Sequence, residues 1–225
     1  MKKLALSLIA TALLAGCGTA ATLPTVNLSG MASFEAMGVD DVTAFASKTI
    51  MRKQMKVALE ANTKALMTFA DRDPKDGRLT FDELQAKMAG FSRSVFRSKD
   101  TDNDGALVLS ELVTESTVSL MTERIIRIRS GCLKALDKDG DRQLTRDDLM
   151  EANQFQLDPQ PWSAYAKLEL EQLRAKVLKD AFASKDVDGD QDGKLNNDEL
   201  YAFFLFAVER GASPIAPAKP HSPIF

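Results

Sequence analysis

From Asp41 to Ala70 apolar residues return with a rough 3.6-residue period: Val42, Phe45, Met51, Met55, Ala58, Leu59 and Leu66. The spacing predicts a long helix, with a break inside it left open. Beyond it, polar Asp-rich stretches interrupt the pattern four times, from Asp71, Asp100, Asp137 and Asp188. Helical segments flank them. Phe81–Ala89 leaves the first stretch, Gly90 marks a turn, and Phe91–Lys99 enters the second. Leu109 to about Leu120 leaves the second, and Thr122–Leu136 enters the third. A helix leaves the third before Asp158-Pro159-Gln160-Pro161, where Pro161 suits the first turn of a new helix through Trp162, Tyr165, Leu168, Leu173, Val177 and Phe182. Asp198–Arg210 leaves the fourth, capped by Gly211. Leu200–Phe206 is apolar nearly all round and reads as buried core in preference to an exposed groove. Residues 212–225 hold four prolines and are expected not to fold. The pattern is that of an all-α chain.

The N-terminus is of a different kind. Lys2 and Lys3 precede the apolar run Leu4–Leu14, then Ala15, Gly16 and Cys17. The run falls short of the ~20 apolar residues of a membrane-spanning helix and reads as a secretory signal. Leu14-Ala15-Gly16-Cys17 resembles the lipobox of bacterial lipoproteins. That resemblance implies a signal peptide over 1–16, cleavage before Cys17, and lipidation of Cys17 by diacylglycerol and an acyl chain such as palmitate. It implies a membrane-anchored protein of the bacterial cell envelope. Gly18, where an Asp would favour the inner membrane, points to the outer membrane if the source has one. Residues 17–40 carry that Cys and read as a flexible tether.

Composition narrows the chemistry. Of 225 residues, 44% are apolar, enough for a core, and the formal charge of −3 argues against a nucleic-acid partner. The one histidine, His221, lies in the tail, which leaves no imidazole for catalysis or a multi-His zinc site in the fold. Cys132 sits in an apolar helical stretch with no activating neighbour and reads as a buried, inert thiol.

The Asp-rich stretches repeat. Asp100, Asp102, Asp104, Gly105, Leu107 and Glu111 recur as Asp188, Asp190, Asp192, Gly193, Leu195 and Glu199. Asp137, Asp139, Asp141, Leu144 and Asp148 repeat them with Arg142 in place of the Gly and Asp in place of the Glu. Asp71, Asp73, Asp76, Gly77, Leu79 and Glu83 repeat them with one extra residue. Over residues 55–210 the chain resembles the EF-hand superfamily. The resemblance implies four hands in two pairs, residues 41–120 and 121–211, with short strands pairing neighbouring loops through Leu79, Leu107, Leu144 and Leu195.

It also implies calcium. Ca²⁺ takes 6–8 oxygens at ~2.3–2.6 Å. Loop positions 1, 3 and 5 would supply carboxylates, position 7 a main-chain carbonyl (Ala106, Gln143, Lys194), and position 12 a two-oxygen glutamate. Arg142 stands where a positive φ favours Gly, at a cost of ~1 kcal/mol. Asp148 reaches about one methylene less far than Glu, which makes Mg²⁺ an alternative at that loop. In the first loop Gly77 comes one residue late relative to Asp71: either the loop is a bulged thirteen-residue variant, the preferred reading, or the normal register places Arg72 at position 1 and abolishes the site. In the fourth, Phe182-Ala-Ser-Lys-Asp186 parallels Phe96-Arg-Ser-Lys-Asp100 and offers a start at Asp186; the start at Asp188 needs no insertion and is preferred.

The expectation is a calcium-binding envelope lipoprotein: a buffer, structural module or sensor. Loss of Lys2 and Lys3 takes the charge to −5, and without the sixteen ligand carboxylates it would be +11. A metal-loaded form docking on a protein or an anionic envelope surface is therefore an alternative. A calcium-supported enzyme is a weaker one, since no nucleophile motif or phosphate loop appears.

Overall fold

The structure, a computed structural model, describes residues 39–72, 75–88, 90–151 and 156–215. The signal, Cys17, the tether to residue 38, Asp73 and residues 216–225 with His221 lie outside them. The chain divides into two units, Met1–Phe45 and Ala46–Phe225. Of the first, only the start of a helix is described. The second holds all four Asp-rich loops.

The described residues are mostly helical. Helix α1 (Val39–Ala70) precedes strand β1 (Leu79–Thr80), α2 (Phe81–Lys87), α3 (Arg93–Lys99), β2 (Ala106–Leu107), α4 (Leu109–Leu112) and α5 (Glu115–Leu136). Then come β3 (Leu144–Thr145), α6 (Arg146–Glu151), β4 (Gln156–Pro159), α7 (Leu170–Phe182), β5 (Lys194–Leu195), α8 (Asn197–Glu209) and β6 (Ala212–Ile215). The long entering helix is therefore continuous. Four times a helix runs into an Asp-rich loop, a two-residue strand and a second helix. β1 pairs antiparallel with β2, Leu79 opposite Leu107, and β3 with β5, Leu144 opposite Leu195. All four leucines are fully buried, so each two-stranded sheet is anchored by apolar burial on both strands.

Local chemistry fixes the helix starts. Thr80 accepts the amide of Glu83 at α2, Ser92 that of Ser94 at α3, and Asn196 those of Asp198 and Glu199 at α8. The apolar pattern alone suggests a helix boundary between Leu120 and Thr122. The break lies instead at Val113–Thr114, because the Thr114 hydroxyl accepts the amide of Thr117 and starts α5 there. The face of α5 that carries Val118, Thr122, Ile125, Ile128, Cys132 and Leu136 is buried without interruption.

Two further expectations are corrected. The helix expected from Pro161 begins at Leu170. Ahead of it the backbone makes short turns, with the amides of Ser163, Ala166 and Leu168 donating to Gln160, Ser163 and Tyr165. Trp162 is pinned there by its indole N–H, 2.6 Å from Asn62 Oδ1. The tail is not unfolded from residue 212: Ala212–Ile215 pairs antiparallel with β4, and the Gln160 amide donates to Gly211 at 2.7 Å. Gly211, at φ +70°, makes this return possible, since a β-carbon there would lie 3.1 Å from Ser163 Cβ.

The described residues form two cores. The smaller joins Ala70, Leu79, Phe81, Leu84, Phe96 and Leu107. The larger gathers α5, α7 and α8, with Phe203 and Phe204 fully buried at its centre. The apolar stretch of α8 is thus core, not an open groove. Met55, Ala58 and Leu59 bring α1 into the larger core, and Leu66, Met67 and Phe69 take it into the smaller. Lys56 Nζ lies 3.0 Å from Glu115 Oε1, Lys48 pairs with Glu123, and the Tyr201 hydroxyl donates to the Met51 carbonyl at 2.8 Å. Cys132 is buried, and burial pushes its thiol up to about 12, which makes it inert.

Tyr165 and Tyr201 are the only tyrosines of the chain. Burial pushes both hydroxyls up to about 12, and the Asp180 carboxylate adds to the shift of Tyr165. Folding therefore favours the neutral phenols. Their contribution is whole below the unfolded value of about 10 and is lost as pH rises toward the folded one. By phenolate absorbance the folded chain should show no ionisation at pH ~10, while the chain in urea is half ionised there; phenolate in the folded chain at that pH would contradict the burial.

Candidate metal centres

Each Asp-rich loop begins where a helical turn ends on an aspartate. The amides of Asp71, Asp100, Asp137 and Asp188 donate to the carbonyls of Met67, Phe96, Leu133 and Ser184 at 2.8, 3.0, 3.2 and 3.0 Å. The carboxylate then draws the following chain around itself. Asp100 Oδ2 accepts from the Gly105 amide at 3.1 Å, Asp137 Oδ2 from Arg142 at 3.0 Å, and Asp188 Oδ2 from Gly193 at 3.1 Å. These amides lie five residues on. In the first loop the partner is Gly77, six residues on, at 2.9 Å. The extra residue therefore falls between Asp71 and Gly77, in line with the bulged reading.

The backbone bends alike in the other three. Asn103 and Gly105 have φ of +57° and +85°, Gly140 and Arg142 of +77° and +62°, Gln191 and Gly193 of +58° and +79°. Arg142 thus adopts the turn that glycine makes elsewhere. A second aspartate closes each loop by accepting from the amide two residues on: Asp76 from Arg78 (3.0 Å), Asp104 from Ala106 (3.0 Å), Asp141 from Gln143 (2.8 Å), Asp192 from Lys194 (2.7 Å).

The last acidic position ties the exiting helix back to the loop. Glu111 accepts from Val108 N with Oε2 (3.1 Å) and from Thr101 N with Oε1 (2.7 Å). Glu199 spans Asn196 N (3.0 Å) and Gly189 N (2.9 Å), and Glu83 spans Thr80 N (2.8 Å) and Arg72 N (3.0 Å). Thr101, Gly189 and Arg72 each follow the loop's first aspartate, so the three spans are equivalent. Asp148 is shorter and is held by Thr145, whose amide and hydroxyl donate to Oδ2 at 2.9 and 2.6 Å. Burial pushes the carboxyls of Glu83 and Glu111 up, but the amides aimed at them prevail and hold both below the usual carboxylate range.

Among the described residues three groups of carboxylates come together, with ligand atoms within 4.8 Å of one another: Asp100, Asp102 and Glu111; Asp137, Asp139 and Asp141; Asp188, Asp190 and Glu199. The second and fourth loops gather the first, second and last of their four ligand-position acids. The third gathers its first three, and Asp148 is not of the group. Asp104 and Asp192 also stand outside these groups; Asp71, Asp76 and Glu83 form no group among the described residues, which do not include Asp73. The group in the fourth loop includes Asp188 and not Asp186. Ala106 and Lys194 open β2 and β5, and Gln143 directly precedes β3.

Asp188 is 2% exposed, and its Oδ1 has no hydrogen-bond partner; Asp71 Oδ1 is a second buried carboxylate oxygen in that condition. Every donor in these groups is a carboxylate oxygen, a set suited to hard cations such as Ca²⁺ or Mg²⁺. Two cations not anticipated as contacts reach the loops: Arg78 pairs with Asp104, and Lys194 Nζ lies 2.6 Å from Asp141 Oδ2. They hold these carboxyls below the usual range. A basic residue directly before the paired leucine was the available signal.

Away from the loops, a groove of about 740 Å³ is lined by Trp162, Tyr165, Leu168, Lys176, Asp180 and Arg210. Tyr165 Oη donates to Asp180 Oδ2 at 3.1 Å, and Lys176 Nζ lies 2.5 Å from Asp180 Oδ1. Among the described residues no helix is long and apolar enough to cross a membrane. No model of a known protein family matches the chain, and no curated protein matches it significantly.

The positive φ of Arg142 carries a β-carbon penalty in the left-handed region that glycine avoids. Arg142→Gly should raise the unfolding free energy of the metal-free chain by roughly 0.5–1 kcal/mol, after allowance for glycine's greater freedom when unfolded. Urea denaturation measures it, and a net loss of stability would contradict the assigned turn.

Proposed function

We propose that the chain is a calcium-binding lipoprotein of the bacterial cell envelope, its loops being EF-hands in two pairs and its anchor a lipidated Cys17. The single observation that carries the metal reading is Asp188 Oδ1. A carboxylate oxygen sealed from water without a donor is costly, and it stands in a group with Asp190 and Glu199. A cation bound there supplies the missing partner and offsets the repulsion of the group. The residues that would hold it are Asp188, Asp190, Asp192, Glu199 and the Lys194 carbonyl. Asp100, Asp102, Asp104, Glu111 and the Ala106 carbonyl are the equivalent set in the second loop. Asp137, Asp139, Asp141, the Gln143 carbonyl and Asp148 form a weaker third set, open to Mg²⁺. Asp71, Asp73, Asp76 and Glu83 form the fourth.

The role is that of a buffer, a calcium-stabilised structural module or a sensor. A sensor stays closed until metal opens it, so the burial of the apolar faces of α8 in the chain's own core is common to all three. Calcium outside cells is not kept scarce, and modules there work at ~10⁻⁴–10⁻³ M. At ten times Kd each site adds ~1.4 kcal/mol to stability. The anchor rests on Leu14-Ala15-Gly16-Cys17.

Calorimetric titration of calcium into the metal-stripped full chain in detergent should show at least two sites. Asp100→Asn and Asp188→Asn should each weaken one of them tenfold or more. No heat and no gain in thermal stability at millimolar calcium would refute the proposal.

A further inference from the structure

We infer that Arg78 and Lys194 set the metal affinity of the loop opposite their own, by holding a ligand carboxylate of that loop until a metal displaces them. This inference deepens the calcium reading and rests on it.

The two ion pairs are built to one plan. Arg78 directly precedes Leu79, which lies opposite Leu107; Lys194 directly precedes Leu195, which lies opposite Leu144. Each cation sits just before the paired leucine of its strand, and each reaches the aspartate three residues before the leucine on the other strand. Arg78 meets Asp104, and Lys194 meets Asp141. At the matching place in the receiving loops stand Ala106 and Gln143, which carry no charge. Each of these two sheets thus joins one loop that donates a cation to one that receives it. The order is reversed between the pairs: the earlier loop donates in the first, the later loop in the second. The arrangement follows from the sheet geometry and not from the order of the loops in the chain.

The receiving carboxylates are fully engaged. Asp104 accepts the Ala106 amide on Oδ1 (3.0 Å) and Arg78 on Oδ2. Asp141 accepts the Gln143 amide on Oδ1 (2.8 Å) and Lys194 on Oδ2 (2.6 Å). A divalent cation that takes an oxygen of either residue meets a resident positive charge there. It has to push the side chain aside or share the oxygen with it. Both cations are about 40% exposed, so water and salt screen the competition and the basic side chain can swing out to solvent. The metal-free loop stays neutralised and closed, and its affinity is lower than its carboxylate count alone would give.

Glycine amides report the loops separately: Gly105 in the second, Gly140 in the third, Gly193 in the fourth. The full chain in detergent, labelled with ¹⁵N-glycine and stripped of metal, is titrated with calcium. In Lys194→Gln the Gly140 midpoint should fall about threefold to tenfold at low salt, the scale of one screened unit charge, while Gly193 moves less than twofold. In Arg78→Gln the same should hold for Gly105. Lys194→Arg should keep the native midpoint. Lys53→Gln, which removes a charge from α1, should leave all three in place. If the native chain shifts but Gly140 and Gly105 stay put in the variants, or move as much in Lys53→Gln, the inference fails while the calcium reading stands. If no glycine of the native chain responds to calcium, both fail.

Discussion

A carboxylate at the end of a helix meets the negative pole of the helix dipole, where a cation would be the favoured occupant. This chain puts an aspartate in that place at Asp100 and Asp137, which cap α3 and α5. Asp71 follows α1 in the same way, whereas Asp188 ends a separate turn beyond the end of α7 at Phe182; each loop adds further acids within a few residues. Donors in the loops turn toward these carboxylates. The amides of Gly105, Arg142 and Gly193 turn inward onto the first carboxylate. The glutamates at the far end carry two amides each. Arg78 and Lys194 cross from the neighbouring loop to neutralise one acid apiece. What amides and basic side chains leave uncompensated, above all Asp188 Oδ1, is the demand that a bound cation would meet.

The rest of the fold holds these loops in place. The sheets β1–β2 and β3–β5 are each too short to persist alone, and their buried leucine pairs tie them to a core. Helix α1 is the common member, lending Met55 and Leu59 to the larger core and Phe69 and Ala70 to the smaller. The turns after β4, fixed by Trp162 on Asn62 and by Gly211 against Ser163, close one edge of the larger core.

The loops were legible in the sequence because their acids, turn residues and leucines repeat at a fixed spacing that can be read without any knowledge of packing. The leucines predicted to pair do pair. Arg142 was expected to strain a positive φ and has one, and Asp148 was expected to reach less far and stands outside its group. The elements that escaped depended on contacts remote in sequence or on which hydroxyl turns onto the backbone. Nothing local distinguishes Thr114 from Thr122 as the residue that starts α5; the side-chain bond to Thr117 decides it. Pro161 fits a helix start, yet the indole of Trp162 and the return of β6 along β4 hold that segment in turns. The ion pairs of Arg78 and Lys194 span 26 and 53 residues and become visible only when the strands are in register.

The most direct measurement is a crystal structure of the protein grown in millimolar calcium, with anomalous scattering recorded to locate the ions. The account predicts calcium peaks in the Asp100 and Asp188 loops, with Asp188 Oδ1 and Glu199 among the ligands at ~2.3–2.6 Å. Loops without an ion, and an Asp188 Oδ1 hydrogen-bonded to the protein or to water instead, would contradict it.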